Sequence, residues 1–190
     1  MAIIVTKRLR FREWTENDID FLVDGLNDFD VAKNLTVPFP YTKQDAIKFV
    51  KKHLKNVNNN YCFAIERKED NKVIGGTSIS MNDNAEFCGG IWIHRDFQGK
   101  GYGTEICIAR AKFAFEKLGA KKLIGGFFDF NERSKKMQLK IGFKVVGEST
   151  DYCPALKKEA REIVTKLEKS DFNKFYNSID FEFHVMYEDI

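Results

Sequence analysis

The chain has 190 residues, of which 43% are hydrophobic and 31% are charged, and its net charge is +3. This balance supplies the core of one domain and excludes extended disorder, collagen-like repeats and a coiled-coil rod. The charge is too weak and too evenly spread to indicate nucleic acid as a partner. The longest apolar runs fall well short of the roughly 20 residues that span a membrane.

The cysteines, the histidines and the start of the chain narrow the class further. Four cysteines are scattered without CxxC spacing, and we expect reduced thiols of a cytoplasmic protein rather than a disulfide framework. The three histidines form no close pair, so we expect no metal site. The opening MAIIVTKRLRFREW returns to charge too early for a signal peptide.

The spacing of hydrophobic residues along the chain predicts its strands and helices. Residues 7–14 alternate basic and apolar side chains, as a strand does, whereas apolar residues at 102–118 cover most of a helix circumference. In chain order we predict a strand at 7–14, helices at 16–27 and from Thr42, an antiparallel meander at 61–68, 73–81 and 86–94, a helix at 102–118, a strand at 122–130, a helix at 131–140, and strands at 143–149 and 181–188. This order indicates an α+β domain around a mixed sheet.

The segment before the last strand is highly charged. Its apolar residues Ala160, Ile163, Val164 and Leu167 are spaced as on one face of a helix. We therefore predict a helix at about 155–172, inserted into a single domain that covers residues 1–190.

A glycine-rich turn joins the last strand of the meander to the buried helix. Gly99, Gly101 and Gly103 alternate there, so several consecutive backbone N–H groups can face one concavity with no Cβ in the way. The helix N-terminus adds about half a positive charge, and Lys100 can add a full one. The turn predicts a phosphate or pyrophosphate site, although glycines also serve turn geometry alone. It is not a P-loop, because the pattern GxxxxGK[ST] is absent. It is not a dinucleotide fingerprint either, because Thr104 stands where the third glycine would be.

Three motifs follow one another along the chain. The first is the opening TKRLRFREW at 6–14 with Asp18, the second is Gln98-x-x-Gly101-x-Gly103, and the third is Asn131-x-x-Ser134 followed by KIGF at 140–143. The second resembles the Q/R-x-x-G-x-G/A signature of the GNAT superfamily of acetyl-CoA-dependent N-acetyltransferases. The other two resemble the branch that includes the ribosomal-protein N-terminal acetyltransferases. The resemblance covers roughly residues 6–148.

The resemblance implies a mixed, mostly antiparallel sheet flanked by helices. A V-shaped splay between the fourth and fifth strands, here 86–94 and 122–130, would hold acetyl-CoA. The backbone of Trp92 and Ile93 would pair with the pantetheine arm as an added strand does, and the Asn131 side chain would contact it. The pyrophosphate would be cradled by Gln98, Gly99, Lys100, Gly101, Tyr102, Gly103 and Thr104. Arg133, Lys135 or Lys136 would reach the outer phosphates of CoA, or form a solvated helix face.

The resemblance also implies roles in proton transfer. Many members donate a proton from a tyrosine whose position is Gln138 here. In the ribosomal-protein branch a serine three residues after the asparagine has this role, which Ser134 fits, although it can also be an ordinary polar residue of a helix start. Glu86 shares strand parity with Trp92 and would be the general base if it faces the cleft, or otherwise a surface acid beside a turn. The N–H of Ile93 would polarise the thioester carbonyl.

The expected function is direct transfer of acetyl from acetyl-CoA to a primary amine of a protein N-terminus, a peptide or a small molecule. We expect a monomer or homodimer that uses no metal. The alternative is a non-catalytic acetyl-CoA-binding sensor module, which the glutamine in place of the tyrosine leaves open. An RNA-binding scaffold is disfavoured because basic and acidic residues are interleaved. The helix predicted at 155–172 would cover the acceptor end of the cleft or mediate self-association.

Overall fold

The computed structural model describes residues 2–54, 60–82, 84–179 and 185–187. The strands are β1 (Ala2–Val5), β2 (Leu9–Arg12), β3 (Asn60–Arg67), β4 (Val73–Met81), β5 (Phe87–Cys88), β6 (Ile91–Ile93), β7 (Lys122–Phe128), β8 (Lys144–Cys153), β9 (Lys158–Glu168) and β10 (Met186–Tyr187). The α-helices are α1 (Ile19–Asn27), α2 (Phe29–Ala32), α3 (Lys43–Lys52), α4 (Tyr102–Glu116), α5 (Glu132–Ile141) and α6 (Lys169–Tyr176). The predicted α+β class is confirmed.

The described strands form one sheet in the order β10-β1-β2-β3-β4-β5-β7-β9-β8, and β6 pairs with β4 beside β5. Neighbouring strands are antiparallel except β5 and β7, which pair in parallel at two positions, Phe87↔Leu123 and Cys88↔Ile124. The segment between them, which includes α4, is long enough for the crossover that parallel strands need. The sheet is therefore mixed and mostly antiparallel, as the resemblance implies.

Alternate residues of β3 face two different cores. Phe63 and Ile65 belong to the core that contains α4, whereas Cys62 and Ala64 belong to the core formed with α1 and α3. Because α4 is buried around most of its circumference, it needs apolar residues on every side, as its sequence predicts. Helices therefore cover both faces of the sheet.

The strand predicted at 86–94 is interrupted at Gly89 and Gly90. A Cβ at Gly89 would lie 2.0 Å from the Ser78 carbonyl oxygen, so only glycine allows this close approach to β4. Beyond the interruption β6 pairs with β4, and β7 pairs with β9 on its other side. The two parallel strands thus separate beyond Cys88, which opens the V-shaped splay implied by the resemblance.

The prediction of a helix at about 155–172 is wrong. β8 and β9 form a long antiparallel hairpin that is paired from Lys144↔Lys166 to Cys153↔Lys158, and α6 begins only at Lys169. The residues with helical spacing divide between the two faces of β9, so that Ala160 packs near α2 and Leu167 packs in the α4 core. The β-branched run at 163–165 favours a strand once β7 offers a pairing edge.

The tip of this hairpin reaches α2. Cys153, Ala155 and Ala160 are buried in one cluster with Ala32, and the Cys153 thiol donates to the Lys33 carbonyl at 3.3 Å. The segment after residue 150 therefore forms a hairpin rather than a helix, and this hairpin packs against α2.

The first and last described strands, β1 and β10, pair at one edge of the sheet. Met186 and Tyr187 pair with β1, a strand that the sequence analysis did not predict. Of the closing strand predicted at 181–188, the structure describes only Val185, Met186 and Tyr187, and the other positions lie outside the described residues.

All four cysteines are free. Within the described ranges, no helix combines the length and apolar character needed to cross a membrane.

Candidate active site

The glycine turn enters α4 through left-handed backbone. Gly99 and Gly101 have φ of +77° and +79°, which glycine adopts without a Cβ clash. Gly101 is the N-cap of α4, and the Glu105 amide donates to its carbonyl at 3.2 Å. The amides of Gly103 and Thr104 fall in the first turn of the helix, where intrahelical bonding leaves N–H groups free. The turn therefore has the form of an anion site.

Two residues of the expected cradle turn their side chains elsewhere. The Lys100 ammonium donates to the Asp96 carbonyl at 3.0 Å and lies over the Phe97 ring. The Tyr102 ring is buried, with the Arg8 guanidinium 4.5 Å from its centroid. At both positions only the backbone is available to a phosphate.

A buried carboxylate fixes the start of α4. Glu105 accepts hydrogen bonds from the Thr6 hydroxyl at 2.6 Å, from Arg8 Nε at 2.6 Å and from the Arg8 amide at 3.2 Å. Arg8 also donates through Nη1 to the Lys100 carbonyl at 3.0 Å, which ties the segment before β2 to the glycine turn. The sequence analysis missed this pair. Its signal was an acid in the first turn of an otherwise apolar helix.

In β6, the backbone N–H and C=O groups of the odd-numbered residues point away from β4 and into the splay. The His94 amide donates to Ile74 of β4, and Gly90 accepts from Ser78 of β4, so even-numbered residues point their backbone at β4. Trp92 lies between them and pairs with Gly76. The expectation that the Trp92 backbone pairs with pantetheine is therefore wrong, because β4 already occupies it.

Ile93 and Ile91 remain at this open edge. The Ile93 carbonyl accepts from Gln98 Nε2 at 2.9 Å, and Gln98 Oε1 accepts from Arg133. The Gln98 side chain thus links β6 to α5 across the mouth of the splay. Among the backbone groups of Ile93, the N–H faces the splay without this constraint, which is the geometry that the expected role of polarising a carbonyl requires.

α5 carries the Asn131 and Ser134 motif. The Asn131 side chain caps the helix by accepting from the Ser134 amide at 3.1 Å. The Ser134 hydroxyl accepts from Gln138 Nε2 at 3.0 Å, and the side-chain oxygen Oε1 of Gln138 accepts from the Thr165 hydroxyl at 2.6 Å. Thr165 is fully buried, so this network fixes Ser134 from behind.

Glu86 is not at the cleft. It lies where β5 begins, and its carboxylate is 2.7 Å from the Lys122 ammonium, at the closed end of the splay. The hydrogen bond from Lys122 lowers the pKa of Glu86 below its usual value, which makes it a weaker base. The parity argument failed because the interruption at Gly89 and Gly90 breaks the alternation along the strand.

A cleft of about 600 Å³ passes through the splay. Residues in and after α2 line it together with α5 and the glycine turn; those of the α2 region are Asp30, Val31, Asn34 and Leu35. The cleft residues named by the sequence analysis are Trp92, Ile93, Gln98, Gly99, Gly101, Gly103, Thr104, Asn131, Arg133, Ser134, Lys136 and Gln138. The cleft is lined by one acidic residue, Asp30, and by four basic residues, Arg110, Arg133, Lys136 and Lys140. This basic lining suits a polyanionic ligand. Lys135 pairs instead with Glu132.

Arg110 is a cleft residue that the sequence analysis missed. It is buried in α4, and its Nη1 donates to the carbonyls of Gly90 at 3.1 Å and Ser78 at 3.4 Å. The Thr77 hydroxyl also donates to the Gly90 carbonyl at 2.8 Å. These bonds hold the interruption between β5 and β6. The sequence signal that could have revealed Arg110 is that it is a basic residue on a helix with apolar residues around its whole circumference.

The sequence of residues 8–144 matches the family described as Acetyltransferase (GNAT) domain. The chain belongs to the GNAT acetyltransferases. The cleft of this GNAT protein contains the glycine turn and the splay at which the sequence motifs predict acetyl-CoA binding, and that binding stays a prediction.

Solved structures share the fold of this GNAT protein. An acetyltransferase of the GNAT family from Bacillus anthracis has a TM-score of 0.75 at 22% identity, covering 90% of this chain and 99% of that one. A spermidine N-acetyltransferase from Vibrio cholerae, in complex with CoA and spermine, has a TM-score of 0.73 at 19% identity, with 87% and 98% covered. A ribosomal-protein-S5-alanine acetyltransferase from Vibrio fischeri has a TM-score of 0.68 at 20% identity, with 86% and 94% covered.

Proposed function

We propose that this GNAT protein transfers acetyl from acetyl-CoA directly to a primary amine. The observation that carries the proposal is the cleft through the splay, which is lined by the N-terminus of α4, by the free edge of β6 and by α2. Direct transfer needs two substrates to meet at one point, and a cleft of this size beside a free strand edge and an anion site can hold both reacting groups.

The residues present fit acetyl-CoA. The amides of the glycine turn, with Arg133 and Lys136 nearby, suit its phosphates, and the free edge at Ile91 and Ile93 suits a peptide-like arm. When bound, acetyl-CoA supplies a thioester that a neutral amine can attack. The Ser134 oxygen already accepts a hydrogen bond from Gln138, so its own proton is available to the cleft.

The acceptor amine has to lose a proton before it can attack. An α-amine with a pKa of about 7.7–8.0 costs about 1 kcal/mol to deprotonate at pH 7, and a lysine with a pKa of about 10.4 costs about 4.6 kcal/mol. The names of two structural neighbours supply candidate acceptor classes, a polyamine and a protein N-terminus. Both belong in the first screen.

An acceptor screen with the purified protein tests the proposal. Acetyl-CoA is mixed in turn with peptides of different N-termini, lysine, polyamines and aminoglycosides, and release of CoA thiol is followed. We expect release that depends on one class of primary amine, with a singly acetylated product by mass spectrometry. Tight binding of acetyl-CoA with no amine accepted would instead support the sensor module.

A further inference from the structure

Arg110 brings a positive charge to the cleft without a negative partner. It lines the cleft, yet only 8% of its surface is exposed. The acid of the first turn of α4, Glu105, pairs with Arg8, and the acid that lines the cleft, Asp30, pairs with Lys33. Among the described residues, Arg110 therefore forms no ion pair. A buried charge is costly unless an opposite charge or hydrogen bonds compensate it, so an anionic ligand would stabilise this side chain.

The bonds that Arg110 makes within the chain do not need its charge. Its Nη1 donates to the carbonyls of Gly90 and Ser78, but the Gly90 carbonyl also accepts from the Ser78 amide at 3.1 Å and from the Thr77 hydroxyl at 2.8 Å. The Cys107 thiol, in contact with Arg110, supplies no negative charge, because burial raises its pKa. The charge of Arg110 is therefore left for a ligand.

Part of the guanidinium also has free donors. A guanidinium carries five N–H groups, and within the described part of the chain Nε and Nη2 of Arg110 donate to no oxygen. Neither nitrogen is among the fully buried polar atoms that lack a partner. These donors are therefore accessible, and the space that Arg110 lines is the cleft.

The place of Arg110 along the cleft separates it from the glycine turn. α4 runs back along β6, because an added Cβ at Gly103 would lie 3.5 Å from Ile93 Cδ1, whereas Arg110 bonds to the Gly90 carbonyl. Arg110 follows the first residue of α4, Tyr102, by eight positions, which is about 12 Å along the helix. A ligand whose phosphates lie at the glycine turn thus presents its other end to Arg110.

The free edge of β6 leads from the glycine turn toward Arg110. A peptide-like arm added to this edge would pair at Ile93 and then at Ile91, and it would carry its thioester toward Gly90. An added Cβ at Gly90 would meet no heavy atom within 4 Å, so the space at this point is open. The acyl group would therefore lie beside Arg110, with room for a chain longer than acetyl.

We propose that Arg110 binds a carboxylate at the far end of the donor's acyl group, so that the cleft prefers the CoA thioester of a dicarboxylic acid to acetyl-CoA. The inference rests on the proposed function, because it names the acyl group that the same cleft transfers. A carboxylate can accept two parallel hydrogen bonds from a guanidinium, whereas the methyl group of acetyl can accept none.

The transfer itself follows the same course as with acetyl. The neutral amine forms the N–C bond as the C–S bond breaks, and the sulfur takes the proton that the amine loses. The carboxylate is unchanged. The products are the CoA thiol and an amide that carries a carboxylate.

Donor affinities measured by titration calorimetry test the inference. Succinyl-CoA and butyryl-CoA have acyl chains with the same number of carbons, and only succinyl ends in a carboxylate. We expect the wild type to bind succinyl-CoA at least about tenfold more tightly than butyryl-CoA. With a primary amine, kcat/KM should be higher for succinyl-CoA than for butyryl-CoA or acetyl-CoA, and mass spectrometry identifies the group transferred.

Variants of Arg110 connect this preference to the guanidinium. Arg110→Met removes the charge and keeps an unbranched side chain, so the affinities for the two donors should come within about twofold of each other. Arg110→Lys keeps the charge without the planar fork and should retain part of the preference. The matched control is Arg133→Met, which removes a charge near the phosphates that both donors share. It should weaken both donors equally and leave their ratio unchanged.

Equal affinities of the wild type for succinyl-CoA and butyryl-CoA would overturn the inference, whether or not the Arg110 variants fold. A wild type that transfers acetyl but binds succinyl-CoA without transferring it would also overturn it. So would an Arg110→Met defect that is the same for every donor, or one that appears only with acceptors carrying a carboxylate. In each case the proposed function stands. A wild type that acylates no amine from any of the three donors would refute the proposed function, while the affinity ratio would still show whether Arg110 binds the carboxylate.

Discussion

Gln138 stands where many GNAT members have a tyrosine, and its surroundings explain what it does instead. It is buried, and its amide orientation is fixed because the Gly126 carbonyl can only accept and therefore faces the amide nitrogen. The same nitrogen donates to Ser134, so the serine oxygen accepts and its proton remains free. We therefore predict that Ser134, which Gln138 orients, has the proton-donating role of that tyrosine.

Removing the Ser134 hydroxyl tests this division of roles. We expect Ser134→Ala to lower kcat about 100-fold while the dissociation constant of acetyl-CoA stays within about twofold, because the lost group acts on the leaving sulfur. Steady-state kinetics and calorimetric titration measure the two quantities. Ser170→Ala, at an exposed site in α6, is the control. Equal kcat in Ser134→Ala and the wild type would assign proton donation elsewhere.

Gly101 tests the anion site with a pair of isosteric side chains. Its φ of +79° strains any residue with a Cβ, but Asn and Asp tolerate this region better than others do and differ in charge alone. We expect Gly101→Asp to bind acetyl-CoA at least about tenfold more weakly than Gly101→Asn, because it adds a negative charge at the proposed diphosphate site. Titration calorimetry of both variants gives the ratio. Equal affinities would mean that the phosphates lie elsewhere.

Among the elements, the β8–β9 hairpin connects the last third of the chain to the cleft. β9 pairs with β7, which forms one wall of the splay, and the hairpin tip is buried against α2. Because α2 has only four residues, this packing rather than helix propensity holds it in place. The hairpin therefore supports the part of the cleft that α2 lines, and we expect the acceptor to bind there.

A buried charge at the hairpin tip should weaken the packing of α2 against the hairpin. We expect Ala155→Asp to raise the acceptor KM about fivefold or more, with acetyl-CoA affinity unchanged, because an unpaired carboxylate cannot stay in the cluster with Ala32. The control is Thr150→Asp, which adds the same charge at an exposed position of β8. An unchanged acceptor KM in folded Ala155→Asp would separate the hairpin from acceptor binding.

Across the whole molecule, one charge network ties the amino-terminal elements to the sheet. Arg12 of β2 forms two hydrogen bonds of 2.8 Å with the Asp18 carboxylate and one of 3.0 Å with Glu66 of β3. Asp18 is almost fully buried and also accepts from the Thr15 amide. The network fixes where α1 starts relative to the sheet, and thus the layer that contains Trp92.

The pH dependence of stability follows from Asp18. Burial alone would raise the pKa of Asp18, but the hydrogen bonds from Arg12 and Thr15 outweigh it and leave the pKa below its usual value. Since the folded pKa is lowered, its contribution to stability is present above the unfolded pKa of about 3.9 and is lost as the pH falls through the folded value. We expect Asp18→Asn to cost about 2 kcal/mol at pH 7, and the difference from the wild type to shrink below pH of about 4.

Urea unfolding of both proteins between neutral pH and acid measures this difference. The control is Asp20→Asn, an exposed acid of α1 whose ion pair with Lys43 is open to solvent. A difference between Asp18→Asn and the wild type that stays constant with pH would show that the lost stability does not come from the charge of Asp18.

The sequence by itself determined the motifs and the elements whose signals are local. The glycine turn, the Thr42 cap and the Asn131-x-x-Ser134 helix start depend on residues within a few positions of one another, and each forms where predicted. The apolar circumference of α4 likewise predicts its burial. From these, the family and the mixed sheet followed, and most of the predicted cofactor-binding residues line the cleft.

Only the tertiary structure decided the features that depend on pairing between distant segments. The segment at 155–172 has helical spacing, yet it forms a strand because β7 and β8 supply hydrogen-bonding edges on both sides. The parity that would bring Glu86 to the cleft ends at the interruption of Gly89 and Gly90, which exists only against β4. Arg110 meets the Gly90 carbonyl only because α4 packs against that interruption. Such contacts join residues far apart in the chain, and no local period encodes them.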